Sequence, residues 1–345
     1  MSNPTFDSGS RLMLIAPHPD DESLACAVAL QRAVRAGAAI RVIYVSDGDN
    51  NPWPQRVIES KWRLKATDRS RWGRIRRAEA LTALCLLGVE PAAAHFIGLP
   101  DQKLTALLIR DCRFVLKRLG SMISRWNPTH LIFPSHFDRH PDHSAVSVMV
   151  QLVLPDLISN GLTASAWTYS VHGNSRAFSS LAEPMKASDS EQLMKLQAIR
   201  CHATQLRLSK KRFLGYVSRP EFFISWRVAN AATLDDRFIR SITRRPTSLR
   251  LKLRIPIVSR ALLAPTLLLA GRDDSGELCS ARFQLPTRLG ELRVPLFSTA
   301  QPIFLKLERR SLFFDQAGWV EVPAAHSEPQ LLDTAWAGEA AVPSR

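Results

Sequence analysis

The stretch LMLIAPHPDDE, from Leu12 to Glu22, decides the fold. Leu12 to Ala16 is a short unbroken apolar run, the mark of a strand buried on both faces. His18 to Glu22 follows it directly. Leu24 to Val34 then carries Ala and Leu at helical spacing, with Gly37 as its stop. The same rhythm recurs downstream. Ile40 to Val45 reads as a second buried strand, closed by the turn-forming Ser46-Asp47-Gly48-Asp49. Ile75 to Leu87 reads as a helix ending at Gly88, Ala94 to Ile97 as a brief strand, and Lys103 to Ser124 as a long helix. Leu131 to Pro134 is another buried strand, followed by a helix over His143 to Ile158. This alternation predicts an α/β fold, with βαβ units forming a Rossmann-like, mainly parallel sheet flanked by helices.

Beyond about residue 228 the texture changes. Arg250 to Val258, Thr266 to Leu269, Leu278 to Leu285, Glu291 to Phe297 and Pro302 to Glu308 are short alternating or apolar runs. Gly, Pro and Asp punctuate them, as in a small antiparallel β-rich region. The expected division is a main domain over 1–228, a β-rich accessory region over 229–325, and a frayed tail over 326–345. A chain of 345 residues can bury a large core without metals or disulfides. No apolar stretch approaches the ~20 residues that span a membrane. The five cysteines (Cys26, Cys85, Cys112, Cys201, Cys279) are widely spaced and form no CxxC pair, which suits reduced thiols in apolar packing. The N-terminal MSNPTFDSGS has no basic segment followed by an apolar one, so the expected compartment is the cytoplasm.

Charge is the unusual bulk property. Lys and Arg total 46 against 31 Asp and Glu, a formal net charge of +15. Such an excess favours polyanionic partners: nucleic acid, an anionic membrane surface or a phosphorylated substrate. It is concentrated in Lys61–Arg77 and Arg237–Arg260. A solvated face without a dedicated ligand accounts for such charge equally well. No helix-turn-helix, RRM or zinc-finger pattern accompanies it, so no specific nucleic acid is expected.

Chemistry gathers after the strands. In open α/β sheets ligands collect at the carboxyl ends of strands, which is where His18-Pro19-Asp20-Asp21-Glu22 falls. His18 and Asp21, three residues apart across a strand-to-helix turn, can converge on one Zn²⁺. Asp20 points elsewhere and is placed to take a proton from a metal-bound water, as a general base. An acidic helix start would explain the same carboxylates by themselves. A second cluster follows another strand end: His136-Phe137-Asp138-Arg139-His140-Pro141-Asp142-His143. His143 is the third expected metal ligand, leaving one coordination place open. His140 would polarise a scissile carbonyl or protonate a leaving amine. Asp142 would orient an imidazole. A lone histidine is more often a satisfied surface or core residue, but two His/Asp clusters, each after a buried strand, make coincidence a poor explanation.

Ala16-Pro17-His18-Pro19-Asp20-Asp21-Glu22 together with His140-Pro141-Asp142-His143 resembles the PIG-L/LmbE-like family of zinc-dependent N-deacetylases. Arg76-Arg77-Ala78-Glu79-Ala80 through Leu87-Gly88-Val89 resembles that family's R-x-x-E helix, and Ile97-Gly98-Leu99-Pro100-Asp101 its L-G-x-x-D loop. Lys195 to Gln205 (KLQAIRCHATQ) resembles its late K-x-x-A-x-x-x-H-x-S/T-Q helix. The resemblance covers roughly residues 11–226. It implies a Rossmann-like fold and hydrolysis of an N-acetyl group, typically on a glucosamine-type sugar. It also implies metal ligands at His18, Asp21 and His143, a base at Asp20 and an acid or electrophilic partner at His140. Arg76 and Asp101 match positions that contact sugar hydroxyls in relatives. Pairing of Arg76 with Glu79 on a helix surface and a turn role for Asp101 are the plainer explanations. Some sugar deacetylases of the family have a tyrosine two residues before the first histidine of the second motif. Here that position is Asp138, so His140 must do more, or another donor contributes.

The expected function is therefore a zinc-dependent deacetylase in a glycan or glycoconjugate pathway, with one Zn²⁺; Fe²⁺ suits the same donors. Its expected partner is an amino-sugar substrate, small or linked to a lipid or nucleotide, with the basic stretches serving an anionic acceptor or the inner face of a membrane. The alternatives are an amidase for another N-acylated small molecule, such as an antibiotic or a thiol conjugate, and a non-enzymatic polyanion-binding protein.

Overall fold

The computed structural model describes residues 3–173, 181–226, 239–245, 248–253, 266–284, 291–298, 301–308, 318–322 and 332–333. The chain divides into two compact units, Met1–Asn230 and Ala231–Arg345. No helix among the described residues is long and apolar enough to cross a membrane.

The first unit is the expected α/β fold. It runs β1 (Arg11–Ala16), α1 (Asp21–Ala25), α2 (Ala27–Arg35), β2 (Ala39–Ser46), α3 (Pro52–Glu59), α4 (Ala66–Leu86), β3 (Ala94–Leu99), α5 (Leu104–Arg110), α6 (Arg113–Trp126), β4 (His130–Pro134), α7 (Pro141–Ser159) and β5 (Ser165–Tyr169). It closes with β6 (Pro184–Met185), α8 (Asp189–Cys201), α9 (Ala203–Leu214), β7 (Glu221–Phe222) and β8 (Ile224–Ser225). The sheet order is β3-β2-β1-β4-β5-β8; every pairing is parallel except β5 with β8. Both faces of β1 are covered, and Leu12 to Ala16 are all essentially inaccessible. Leu12, Leu14 and Ala16 pack with Val28, Leu30, Ala80 and Leu84 from α2 and α4. Burying each such Leu side chain contributes about 2 kcal/mol.

Several helices differ from the sequence expectation for local reasons. The helix expected over Leu24–Val34 is two helices broken at Cys26, because the Glu221 carboxylate takes the amides of Val28 (2.9 Å) and Ala29 (3.1 Å) and caps a new start. The helix expected over Lys103–Ser124 also breaks. Asp111 turns extended, and its carboxylate accepts the Arg113 amide at 3.1 Å. The Arg76 helix begins at Ala66 rather than Ile75, because Asp68 in its first turn accepts the Lys65 amide at 2.9 Å. Helix α8 carries a reciprocal cap, in which Ser188 Oγ accepts the Glu191 amide and Glu191 Oε2 accepts the Ser188 amide.

The second unit is antiparallel, as its alternating runs predict. Its strands are β9 (Ile239–Arg245), β10 (Ser248–Leu253), β11 (Thr266–Arg272), β12 (Leu278–Gln284), β13 (Glu291–Pro295), β14 (Ile303–Glu308), β15 (Val320–Val322) and β16 (Leu332–Asp333). They form two four-stranded sheets, β13-β10-β9-β16 and β12-β11-β14-β15. Leu249 and Leu251 from one sheet share a core with Leu267, Leu269, Leu305 and Leu307 from the other. That period-two pattern is the inner face of a sandwich. The tail expected over 326–345 lies outside the described residues, except for Leu332–Asp333, which pair with β9.

Candidate active site

β1 and β4 are neighbours in the sheet, yet the chain leaves β1 toward β2 and leaves β4 toward β5, on opposite sides. Such a switch point opens a crevice at the carboxyl ends of the two strands. His18 stands just past β1, and the His136–His143 segment leads from β4 into α7, so the crevice receives both motifs. His18 Nδ1 lies 3.1 Å from His143 Nε2 across a separation of 125 residues. Asp21 joins them: Oδ2 is 3.5 Å from His18 Nδ1, and Oδ1 is 3.3 Å from His143 Nε2. All three residues are buried.

This donor set fits a divalent cation. Tetrahedral zinc with bonds of about 2.0–2.2 Å separates its ligand atoms by about 3.3 Å, close to the three spacings seen. Each imidazole also has its other nitrogen against acid. His18 Nε2 is 3.0 Å from Asp101 Oδ1 and 3.4 Å from Asp142 Oδ2, and His143 Nδ1 is 3.3 Å from Asp138 Oδ2. Protons drawn to those nitrogens leave the lone pairs of His18 Nδ1 and His143 Nε2 facing each other, an arrangement that a cation relieves. Two further groupings share the pocket: His18, His140 and His143 offer atoms within 4.8 Å of one another, as do His18, Asp101 and Asp142.

Asp20 sits beside this set in a conformation that L-residues rarely adopt, with φ of 135°. Strain of order 1–3 kcal/mol persists only where the surroundings enforce it. Here the Asp20 amide donates to Glu22 Oε2, and the Asp20 carbonyl accepts from the amides of Ser23 and Leu24, all at 3.0 Å. Its carboxylate receives Arg76 Nη2 at 2.9 Å. Burial pushes Asp20 up to about 6, and the Arg76 charge restrains the rise. Arg76, 3% exposed, also donates to the carbonyls of Pro19 (2.6 Å) and Gly48 (2.9 Å). It therefore stands behind Asp20 and is not paired with Glu79, whose carboxylate holds the Thr204 amide and hydroxyl. Gly48 has φ of +61°, and a Cβ there would fall 1.7 Å from Arg76 Nη1, so the guanidinium passes through space only glycine leaves.

His140 caps α7, its Nδ1 accepting the Asp142 amide at 3.2 Å. Burial, then the neighbouring His143 and His18, hold it neutral well below the usual histidine range. A neutral ring accepting at Nδ1 carries its proton on Nε2. Asp142 takes the amides of Gln102 (2.6 Å) and Leu104 (3.1 Å) and so ties the loop after β3 to the site. Asp101, on that loop, accepts the Asn50 amide at 3.1 Å; burial opposes its ionisation, but the adjoining His18 ring holds it at about 2. The basic run is partly committed within the protein: Lys61 pairs with Asp68 (2.6 Å), and Arg71 pairs with Asp68 and Glu59.

Sequence reasoning missed three contributors. Asp138 accepts the amides of His140, Val171 and His172 and the Ser170 hydroxyl, so it carries the turn as well as facing His143. His172, just past β5, brings a fourth imidazole, with ring centres 5.3 Å from His140 and 5.0 Å from His143; burial lowers it to about 4. His202 meets the Glu22 carboxylate at 3.1 Å behind the acidic motif. The position of Asp138 between the two histidine positions was the available signal for the first. His202 is the histidine of the late KLQAIRCHATQ motif, which marked the position without a role; nothing local marks His172.

Residues 13–154 match the family model described as PIG-L, GlcNAc-PI de-N-acetylase. The likeness to that family covers this stretch, less than half of the chain. Curated relatives include 1D-myo-inositol 2-acetamido-2-deoxy-alpha-D-glucopyranoside deacetylases. The one from Mycobacterium sp. (strain KMS) is 36% identical over 91 residues, 26% of this chain and 28% of that protein. The one from Mycobacterium avium (strain 104) is 30% identical over 147 residues, 39% of this chain and 47% of that protein. The aligned region thus spans between about a quarter and a half of these relatives' length. Among solved structures, a deacetylase from the teicoplanin biosynthesis pathway aligns at a TM-score of 0.49 and 17% identity, over 62% of this chain and 96% of that one. The N,N'-diacetylchitobiose deacetylase of Pyrococcus horikoshii aligns at 0.45 and 20%, over 62% and 82%.

Proposed function

We propose that the protein is a metal-dependent N-deacetylase that hydrolyses the acetamido group of an N-acetylated amino sugar of glucosamine type. The observation that carries this is the triangle of His18 Nδ1, His143 Nε2 and the Asp21 carboxylate beside a buried, strained Asp20. The curated relatives, sugar N-deacetylases by name, supply the substrate class. His18, Asp21 and His143 would hold the ion, with Zn²⁺ the expected metal. A cation there supplies Lewis acidity, polarising an amide carbonyl and acidifying a water.

The chain's own groups supply the remaining chemistry. Asp20, with its affinity for protons raised to about 6, is largely ionised at neutral pH and basic enough to take a proton at its carboxylate. Arg76 fixes that carboxylate in place. His140, neutral and protonated on Nε2, offers a hydrogen-bond donor to a developing oxyanion and a proton to a departing amine. Asp138 and Asp142 hold His143 and His18 in the tautomers that leave their donor nitrogens bare. The amino-sugar substrate is small; a lipid or nucleotide carrier is not needed for this chemistry.

The test is amine release from N-acetylglucosamine, its inositol conjugate and a panel of other N-acyl amines, together with metal analysis of the purified protein. Asp20→Asn should keep the metal and lose turnover, whereas His143→Ala should lose both. Protein purified without bound metal that still hydrolyses the sugar amide, or turnover confined to non-sugar amides, would refute the proposal.

A further inference from the structure

Helix α3 is inside out. A helix on a globular surface normally turns its apolar side inward. Here Pro54 and the wholly buried Gln55 face in, and the Gln55 side-chain amide donates to the Asp68 carbonyl at 2.7 Å. Trp53 (57% exposed), Val57 and Ile58 face out, and Trp62 (74% exposed) follows just past the helix. The two indoles lie 6.2 Å apart, and the Arg56 guanidinium stands 5.0 Å from one ring and 5.3 Å from the other, so they form one continuous patch. Lys61, Arg63 and Lys65 are exposed beside it. Large apolar side chains left together in water mark an interaction surface.

We infer that this patch is a docking surface for an anionic lipid bilayer. Charge and side-chain type select that occupant. The rim is cationic, in a chain of net charge +15, which repels a second copy of itself and attracts a negative surface. Tryptophan, aliphatic and arginine or lysine side chains on one short face are the composition of an element lying at the lipid–water boundary. A sugar platform would need the indoles but has no use for exposed Val57 and Ile58. The placement is also suited to it: Asn50 and Asn51, which lead into the helix, bond to Asp101 at 3.1 Å and to Gln205 at 2.9 Å, so the patch begins at the rim of the crevice. Docking there would hold that rim against the bilayer surface. The inference does not rest on the deacetylase reading, because binding is measured without turnover.

The experiment is co-sedimentation of the full chain with vesicles of phosphatidylcholine alone or mixed with phosphatidylserine, at low and high salt. The expected result is salt-sensitive binding to the mixed vesicles. Trp62→Ala should weaken it roughly tenfold, as expected for losing one inserted indole. Arg63→Gln and Lys65→Gln should each weaken it roughly fivefold, the factor that about 1 kcal/mol per basic residue gives. Failure to bind the mixed vesicles, or binding unchanged by all three substitutions, overturns the inference. So does a dimer in sedimentation equilibrium that Trp62→Ala abolishes, which would make the patch a self-association face. Tryptophan fluorescence that responds to N-acetylglucosamine but not to vesicles would make it a sugar platform instead.

Discussion

Replacing Gly48 with alanine should do its damage through Arg76. The new Cβ would stand 1.7 Å from Nη1 and 2.3 Å from Cζ of that side chain, so the guanidinium must leave its place. A φ of +61° adds about 1–2 kcal/mol for any residue with a Cβ. Eviction strips Asp20 of its buried counter-charge, and losing one partner of such a pair costs about 3–5 kcal/mol. Gly48→Ala should therefore destabilise the protein by about 4–7 kcal/mol, a large share of the 5–15 kcal/mol that holds most domains folded. Arg76→Ala alone should cost about 3–5 kcal/mol. With the arginine already gone, the three atoms nearest the added methyl are gone too, so the double variant should exceed Arg76→Ala only by about the backbone cost. Equilibrium urea unfolding followed by far-UV circular dichroism measures all three. The expected coupling between the two sites is about 3–5 kcal/mol. Additivity within about 0.5 kcal/mol would show that Gly48 and Arg76 do not compete for one space, and the reasoning would fail.

Other expectations follow from the same packing. Arg76→Met, which keeps most of the side-chain volume, should cut kcat at least tenfold with bound metal retained; unchanged kcat would remove Arg76 from support of Asp20. Lys195 and Glu221 form a buried pair at 2.8 Å, and Lys195→Met should lower unfolding stability by about 3 kcal/mol, the low end for a broken buried pair because two backbone amides still hold Glu221. Urea midpoints for that variant within error of the parent would refute this. Glu191 is opposed by burial, but Arg32, the Ser188 amide and Arg35 outweigh it and hold the carboxyl at about 2. Its stabilisation is therefore complete above about pH 4.5 and is lost as pH falls toward 2. Glu191→Gln should flatten that acid limb in pH-dependent unfolding, and an unchanged slope would count against it.

The sheet was legible because burial on both faces writes itself as unbroken apolar runs, as in Leu12–Ala16 and Leu131–Pro134. The gathering of His18, Asp21 and His143 was legible because strand ends are where such folds keep polar residues. What escaped was long-range. The break at Cys26 depends on Glu221, nearly two hundred residues away. The late motif's residues act through partners that sequence cannot pair: Lys195 with Glu221, His202 with Glu22, Thr204 with Glu79. Helix α3 was invisible because its outward Trp53, Val57 and Ile58 and its inward Gln55 invert the pattern by which surface helices are found. The short strand Ser165–Tyr169 (SAWTY) mixes polar and apolar residues and so writes no unbroken apolar run.

The adjacency of β1 and β4 has a consequence for biosynthesis. The acidic motif leaves the ribosome with β1, ahead of β4, and β2 and β3 can pair beside it. The histidines that complete the pocket emerge more than a hundred residues later. Until then the nascent chain holds only part of the candidate site, with Asp20, Asp21, Glu22 and, later, Asp101 gathered around the His18 imidazole. A stalled or clipped chain ending before residue 140 would keep the acids without the rings that face them.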